Sequence, residues 1–269
     1  MTPRGPSRDP GRELVQRAER AELLSSSAPS ATEPLRFAAG LLRAQAVAAR
    51  SIERLNSRRA PSGRLVEDLE FVLEHLLAIP RFVADHGPRA VAAHAARRAS
   101  ELHPTAVTRL GVYWCSALDA SEDYLSRAML RPYVECLRAS GVAIVRARGR
   151  GRCPFCGSPS AVGCRRSAES DGGARFLCCA LCGLEWPFNR ILCPSCFEEN
   201  PQALPSFTSE SHADVRLEAC ETCRRYVKSF DLSQDARPVP EVDDLASIAL
   251  DLWAIERGFT RVEPGLAGI

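Results

Sequence analysis

Lysine is almost missing from this chain: Lys228 is the single lysine among 35 basic residues, and 33 acidic residues leave a formal charge of +2. So near a balance, the molecule as a whole has no polycationic field of the kind that drives binding to nucleic acid or anionic lipid. Aromatic residues make up only 6%, which leaves little surface on which unpaired bases could stack. No apolar run approaches the ~18–20 residues of a membrane span, so membrane insertion is not expected. The first thirty residues carry charges throughout and lack the apolar stretch of roughly 7–15 residues that a secretory signal needs. A cytoplasmic location is therefore expected. Nor is a phosphate-cradling loop, a nucleophile–base motif or a paired-carboxylate motif legible, and the chain reads as a non-enzyme.

What is present is cysteine. Twelve cysteines in a chain expected to stay in a reducing compartment argue against a disulfide framework and for metal ligation. Ten of them fall between Cys153 and Cys223, and eight form four CxxC pairs: Cys153 and Cys156, Cys179 and Cys182, Cys193 and Cys196, Cys220 and Cys223. The pairs repeat. Cys193 follows Cys153 by 40 residues and Cys220 follows Cys179 by 41, so two similar modules stand in tandem. Two residues between cysteines let one tight turn aim both sulfurs at a common point, and two such knuckles complete a tetrahedron of thiolates. The first and second pairs are expected to form one site and the third and fourth another, with a cross-braced arrangement as the alternative. Either way all eight cysteines are candidate metal ligands. Four sulfurs leave no open position, so Lewis-acid hydrolysis is not expected.

Tetrahedral sulfur sites suit zinc or a single iron alike. The run CysProPheCysGly at 153–157 has the form of a rubredoxin knuckle, which favours mononuclear iron. Gly157 and Gly183 follow both knuckles of the first module, whereas Phe197 and Arg224 occupy those places in the second. Because glycine takes the left-handed conformation without steric cost, the second module is expected to be less regular and to hold metal more weakly. Cys178 could compete with Cys179, although Cys179 has the right spacing to Cys182. Cys164 has no CxxC partner. Cys115 and Cys136 lie in helical pattern and read as small core residues. The histidines, His86, His94, His103 and His212 among them, read as non-ligands.

Around this region the pattern is helical. The 269 residues make one large domain or two ordinary ones. Residues 1–33, rich in Pro, Ser and Arg, read as a flexible lead-in with one short helical candidate near Glu13–Leu24. Residues 34–150 form a helical domain of about five helices, with stripes at Leu35, Ala38, Leu42, Ala46 and Ala49 and at Leu65, Leu69, Val72, Leu76 and Ile79. Pro80, Pro88, Pro104 and Pro132 punctuate it, and Gly111 and Gly141 suit helix ends or loops. The metal modules occupy 151–190 and 191–231, with short strands after the knuckles. The segment 232–269 carries a helix over 241–257, with Leu245, Ile248, Leu252 and Ile255 on its apolar face, acids at Glu241, Asp243 and Asp244 near its positive end, and Gly258 to stop it. Asp243 and Asp244 read as solvated first-turn acids. The fold class is α+β: an all-α N-terminal domain, two tandem rubredoxin-like or zinc-ribbon-like modules and a C-terminal helix.

The run CysProPheCysGlySerPro (153–159), then ArgPheLeuCysCysAlaLeuCysGlyLeuGluTrp (175–186), Arg190, CysProSerCys (193–196), GluAlaCysGluThrCysArgArgTyrValLysSerPhe (218–230) and AspAspLeuAlaSerIleAlaLeuAspLeu (243–252) resembles the formate dehydrogenase accessory protein family, FdhE. ProLeuArgPheAlaAlaGlyLeuLeuArgAlaGln (34–45) is similar to that family's N-terminal helical region. The resemblance implies a cytosolic, non-enzymatic maturation factor whose partner is the catalytic subunit of a respiratory formate dehydrogenase. That client carries a molybdenum or tungsten cofactor and an iron–sulfur cluster, and matures before export by the twin-arginine route. The resemblance also implies two metal ions, iron of the rubredoxin kind or zinc, on the eight CxxC cysteines. Glu185, Trp186, Arg190, Glu218, Tyr226, Lys228, Asp243, Asp244 and Asp251 match the family pattern without a role attached.

Two other readings start from the residues. Arg146, Arg148, Arg150 and Arg152 beside a metal module suggest a ribbon-type nucleic-acid binder, but residues 146–230 hold twelve cations against nine acids, a local excess too small for that role. Paired knuckles alone suggest a rubredoxin-like electron carrier, which leaves the helical domain without a purpose.

Overall fold

The computed structural model describes residues 9–115, 124–146, 149–167, 174–233 and 235–266. Seven α-helices precede the cysteine region among these residues: α1 (Pro10–Ser25), α2 (Thr32–Asn56), α3 (Leu65–Leu76), α4 (Ala78–His86), α5 (Arg89–Ala99), α6 (His103–Cys115) and α7 (Tyr124–Ala139). Both apolar stripes are buried, from Leu35 to Ala49 on α2 and from Leu65 to Ile79. The second stripe is broken at Leu77, so that Ile79 belongs to α4 and Pro80 lies in the first turn of that helix, where a missing N–H costs nothing.

Several expectations need correction. Within the lead-in, α1 is an ordered helix opened by the side chain of Asp9, which accepts from the Arg12 N–H at 2.7 Å, and it buries Leu14, Ala18 and Ala21 against the rest of the helical core. Small residues on one face allow that close approach, a signal hidden by the polar composition of the segment. Pro132 does not end a helix but lies inside α7, and Gly111 lies inside α6. Cys115 is exposed rather than in the core, because α6 turns Ala106, Leu110, Tyr113 and Trp114 inward. Cys136 is buried, as expected.

Among the described residues seven strands follow: β1 (Ser160–Arg166), β2 (Ala174–Cys179), β3 (Glu185–Pro187), β4 (Ser206–Ser209), β5 (His212–Ala219), β6 (Arg225–Asp231) and the short β7 (Thr260–Arg261). They form one sheet in the order β3-β2-β1-β6-β5-β4, with β7 also on β6. Each module contributes three antiparallel strands, and the parallel pairing of β1 with β6 joins them, Gly163 opposite Ser229 and Cys164 opposite Phe230. At Gly163 a Cβ would stand 3.3 Å from the Ser229 hydroxyl and from the Phe176 carbonyl, so the seam is tight enough to favour glycine.

The C-terminal helix is two helices. Ser247 leaves helical geometry and separates α8 (Pro240–Ala246) from α9 (Ile248–Glu256). The break rotates the inward face: Leu252 and Ile255 are exposed, while Asp251 and Ala254 are buried. The apolar pattern lost to a charge. Lys228 on β6 is fully buried, and its ammonium reaches Asp251 at 2.6 Å, Asp244 at 2.9 Å and the Ser247 hydroxyl at 3.1 Å. A buried ammonium needs carboxylates around it, and turning Asp251 inward supplies one.

Candidate metal centre

The structure gathers the eight CxxC cysteines into two groups of four, Cys153, Cys156, Cys179 and Cys182 in one and Cys193, Cys196, Cys220 and Cys223 in the other. This is the sequential pairing, and the cross-braced alternative is set aside. In the first group Sγ atoms lie 3.6 Å apart between Cys153 and Cys182 and 3.3 Å between Cys156 and Cys179. In the second, Cys193 and Cys223 are 3.7 Å apart and Cys196 and Cys220 3.6 Å. A tetrahedron of metal–sulfur bonds of about 2.3 Å has edges of about 3.8 Å, so both donor sets fit a single zinc or iron ion.

All four knuckles share one backbone device. The N–H of the first cysteine donates to the carbonyl five residues on: Cys153 to Ser158, Cys179 to Leu184, Cys193 to Glu198 and Cys220 to Arg225, each at 2.9–3.0 Å. The residue after the second cysteine is left-handed every time, with φ of 74° at Gly157, 66° at Gly183, 65° at Phe197 and 56° at Arg224. The expected irregularity of the second module is therefore absent from its backbone: Phe197 and Arg224 adopt the glycine conformation, and the turn outweighs the steric cost of a Cβ. Side-chain contacts help to hold them. Arg150 lies over the Phe197 ring at 4.4 Å, while Arg224 covers Phe259 at 3.8 Å and donates to the Arg257 carbonyl at 2.5 Å. Amides also point at sulfur, those of Leu181 and Cys182 at Cys179 and that of Ser195 at Cys193, each at 3.4 Å, spreading thiolate charge.

Burial separates the two groups. Every cysteine of the first is buried, whereas Cys196 is exposed and Cys223 half-buried. Burial disfavours thiolates in the first group, but hydrogen bonds from Cys153, Cys179 and Cys182 outweigh it at Cys156 and hold that thiol well below its ordinary range. The same burial, with thiolate charge next door, pushes Cys179 and Cys182 up. Four thiolate charges gathered in so buried a group need a cation to balance them.

Cys178 does not compete with Cys179. Neighbours in β2 leave opposite faces of the sheet, and Cys178 lies instead 3.9 Å from Cys164, with Glu185 beside both. Sequence spacing alone gave no sign of this third group. Seven of the nine residues that matched the family pattern without a role, all but Trp186 and Arg190, have polar partners described here or above. Tyr226 donates to Asp251 at 2.7 Å, Arg261 bridges Asp244 and Asp251, Glu218 pairs with Arg165 and Arg175, and Glu185 with Arg166. Asp243 and Asp244 are buried rather than solvated. The first pairs with Arg20 of α1, and for the second burial is outweighed by Arg261 and Lys228, which hold its carboxyl below the usual range. Of the arginines before Cys153, Arg148 lies outside the described residues, and Arg146 is occupied by the carbonyls of Trp114 and Cys156 and by the Ser158 hydroxyl. That use of Arg146 takes one of the four arginines of the nucleic-acid reading into the fold.

No helix among the described residues is long and apolar enough to cross a membrane. Two family models match the chain, "FdhE, central domain" over residues 152–190 and "FdhE, C-terminal domain" over residues 191–266. Proteins described as FdhE homologues from Aquifex aeolicus and Pseudomonas aeruginosa are each 38% identical, over 116 and 128 residues. The matches span 43% and 46% of this chain, and 41% of the length of each relative. The crystal structure of the FdhE protein from Pseudomonas aeruginosa superposes with a TM-score of 0.68 at 28% identity, covering 99% of this chain and 98% of that one. With both cysteine modules matched by FdhE domain models and the helical region superposing as well, the chain is similar to FdhE proteins along its length.

Proposed function

We propose that this protein is an accessory factor for formate dehydrogenase, working in the cytosol by binding the catalytic subunit during assembly before export, and that it acts by binding rather than by catalysis. The observation that carries this reading is the likeness to the Pseudomonas aeruginosa FdhE protein along 99% of the chain, together with the motif resemblance across residues 153–252. The chemistry of the clusters agrees with it. Cys153, Cys156, Cys179 and Cys182 would hold one metal ion and Cys193, Cys196, Cys220 and Cys223 a second, each supplying four bonds that fix its knuckles and leave no position for a reacting group. The rubredoxin form of the first knuckle favours iron over zinc, and an iron–thiolate absorption spectrum with one iron per cluster in protein purified without air would support it. Zinc in both clusters would remove the iron assignment.

Affinity capture from the host grown with formate tests the function. The tagged chain is expected to recover a formate dehydrogenase catalytic subunit, and a Cys153→Ser/Cys156→Ser variant to lose it. Capture of no dehydrogenase subunit by the unaltered chain would overturn the proposal.

A further inference from the structure

The sheet face opposite the first cluster carries donors that the four-cysteine sites do not use. Cys164 on β1, Cys178 on β2 and Glu185 on β3 bring two Sγ atoms and a carboxylate oxygen within 4.8 Å of one another. The strand ladder places them there: Glu185 stands opposite Cys178, and Cys164 follows by two residues Val162, the β1 partner of Cys178. Their side chains therefore share a face. Cys164 is 0% and Cys178 6% exposed. Arg166, also on β1, holds Glu185 through two parallel hydrogen bonds of 2.9 and 2.8 Å, the arrangement that orients a ligating carboxylate from outside.

We propose that Cys164, Cys178 and Glu185 form a third cation site, for a divalent ion of the zinc class. The sulfur separation of 3.9 Å lies close to the edge of about 3.8 Å of a tetrahedral thiolate site. Charge agrees: two thiolates and a carboxylate less the Arg166 guanidinium leave two negative charges, which one divalent ion balances. Three protein donors leave a fourth position, unlike the four-cysteine clusters. Cys178 and Glu185 border a cavity of about 100 Å³ whose lining also includes Arg166, Arg17, Arg138 and Glu241. The cavity gives an ion a way in and gives water, or a donor atom of a bound molecule, room to complete the coordination. Thiol, thiol and carboxylate at zinc-like spacing favour zinc over calcium or magnesium, which take oxygen donors.

Zinc titration of the full chain under reducing conditions, followed by native mass spectrometry, decides the matter. The unaltered chain is expected to bind one equivalent more than Cys164→Ser/Cys178→Ser and Cys164→Ala/Cys178→Ala, two variants that treat the vacated space differently. Only the difference is read, so the result stands whether or not the four-cysteine clusters fill. Glu185→Gln, which keeps both thiols, is expected to weaken the last equivalent at least about tenfold, no less than the loss of an outer partner costs a metal site. Equal metal content in the unaltered chain and both double variants would overturn the proposal. So would the loss of two hydrogens from Cys164 and Cys178 in place of metal uptake, which would mark a disulfide.

Discussion

At Gly157 and Gly183 the chain takes φ of 74° and 66° because the turn that aims two sulfurs at one point ends in a left-handed residue. A Cβ there costs about 1–2 kcal/mol, so Gly157→Ala and Gly183→Ala are each expected to lower stability by that amount in urea unfolding of the metal-loaded protein. Phe197→Gly is expected to change little, since relief of the same strain offsets the lost ring contact with Arg150. Exposure then orders the two clusters. With Cys196 open to solvent and Cys223 half-buried, a chelator reaches the second cluster first, and metal should leave in two phases. The fast phase should vanish in Cys193→Ser/Cys196→Ser and the slow one in Cys153→Ser/Cys156→Ser; the reverse assignment would refute the argument from burial. The eight cysteines were legible in the sequence because a CxxC knuckle is a local object, complete within a few residues. Asp243, Asp244 and Lys228 were not, because their partners lie far away: Arg20 is 223 residues from Asp243, and Lys228 lies 23 from Asp251. Nothing in the local pattern of an acid at a helix start tells a solvated carboxylate from one drawn inward.

The C-terminal helices show the same competition at the level of an element. Period alone joins 241–257 into one helix with Leu252 and Ile255 inward, yet the structure breaks it at Ser247 and turns Asp251 toward Lys228 and Arg261. Helix existence was readable there and its rotation was not, since rotation is set by a charge on β6. The stripe on α2 was readable because apolar packing sets its inward face, and buried Gln45 beside it is uncharged and donates to the Ala128 carbonyl. Lys228→Met leaves two buried carboxylates with one arginine between them and is expected to cost about 3–5 kcal/mol, the usual penalty for removing one partner of a buried ionic group, read as a lower urea midpoint with α9 exchanging its amides faster. Acid should act on the same elements. Burial raises the Asp244 and Glu241 carboxyls, but Arg261 and Lys228 beside the first, and Arg131 and Arg17 beside the second, bring both below their ordinary range. A carboxyl lowered in the folded state contributes stability that is complete above its unfolded value of about 4 and is lost as pH falls through the folded one. Glu263, raised by burial in spite of Arg127, works the other way and loses its contribution as pH rises through its folded value. With two lowered groups against one raised, thermal melts are expected to fall steeply only below about pH 4. A loss already complete at pH 5 would contradict this sign.

Across the whole molecule the two modules are alike in backbone but not in attachment. Cys153, Cys156, Leu177, Cys179, Leu181, Cys182 and Trp186 belong to the same apolar core as Leu14, Leu42 and Leu130 of the helices, so the first cluster forms part of the floor of the helical region. Leu217, Ala219 and Tyr226 of the second module make a separate small core with Ala254 and Phe259. Tandem spacing in the sequence makes the modules look equivalent, because a repeat records ligand positions and says nothing of what each packs against. Burial now sets their consequences apart. Without metal, buried thiolates must take up protons or open to water, and the disturbance spreads through whatever core they share. Hydrogen exchange should register the difference. Cys193→Ser/Cys196→Ser is expected to speed exchange in β4, β5 and the edge of α9 while α1, α2 and α7 stay protected. Cys153→Ser/Cys156→Ser is expected to speed exchange in β1 and β2 and also in α1 and α7, whose buried side chains share one apolar core with that cluster and whose Arg17, Arg131 and Glu135 are linked through Glu241 to α8. If both variants lose protection only within their own strands, the shared core transmits nothing, and the first module is a unit hung on the helices rather than built into them.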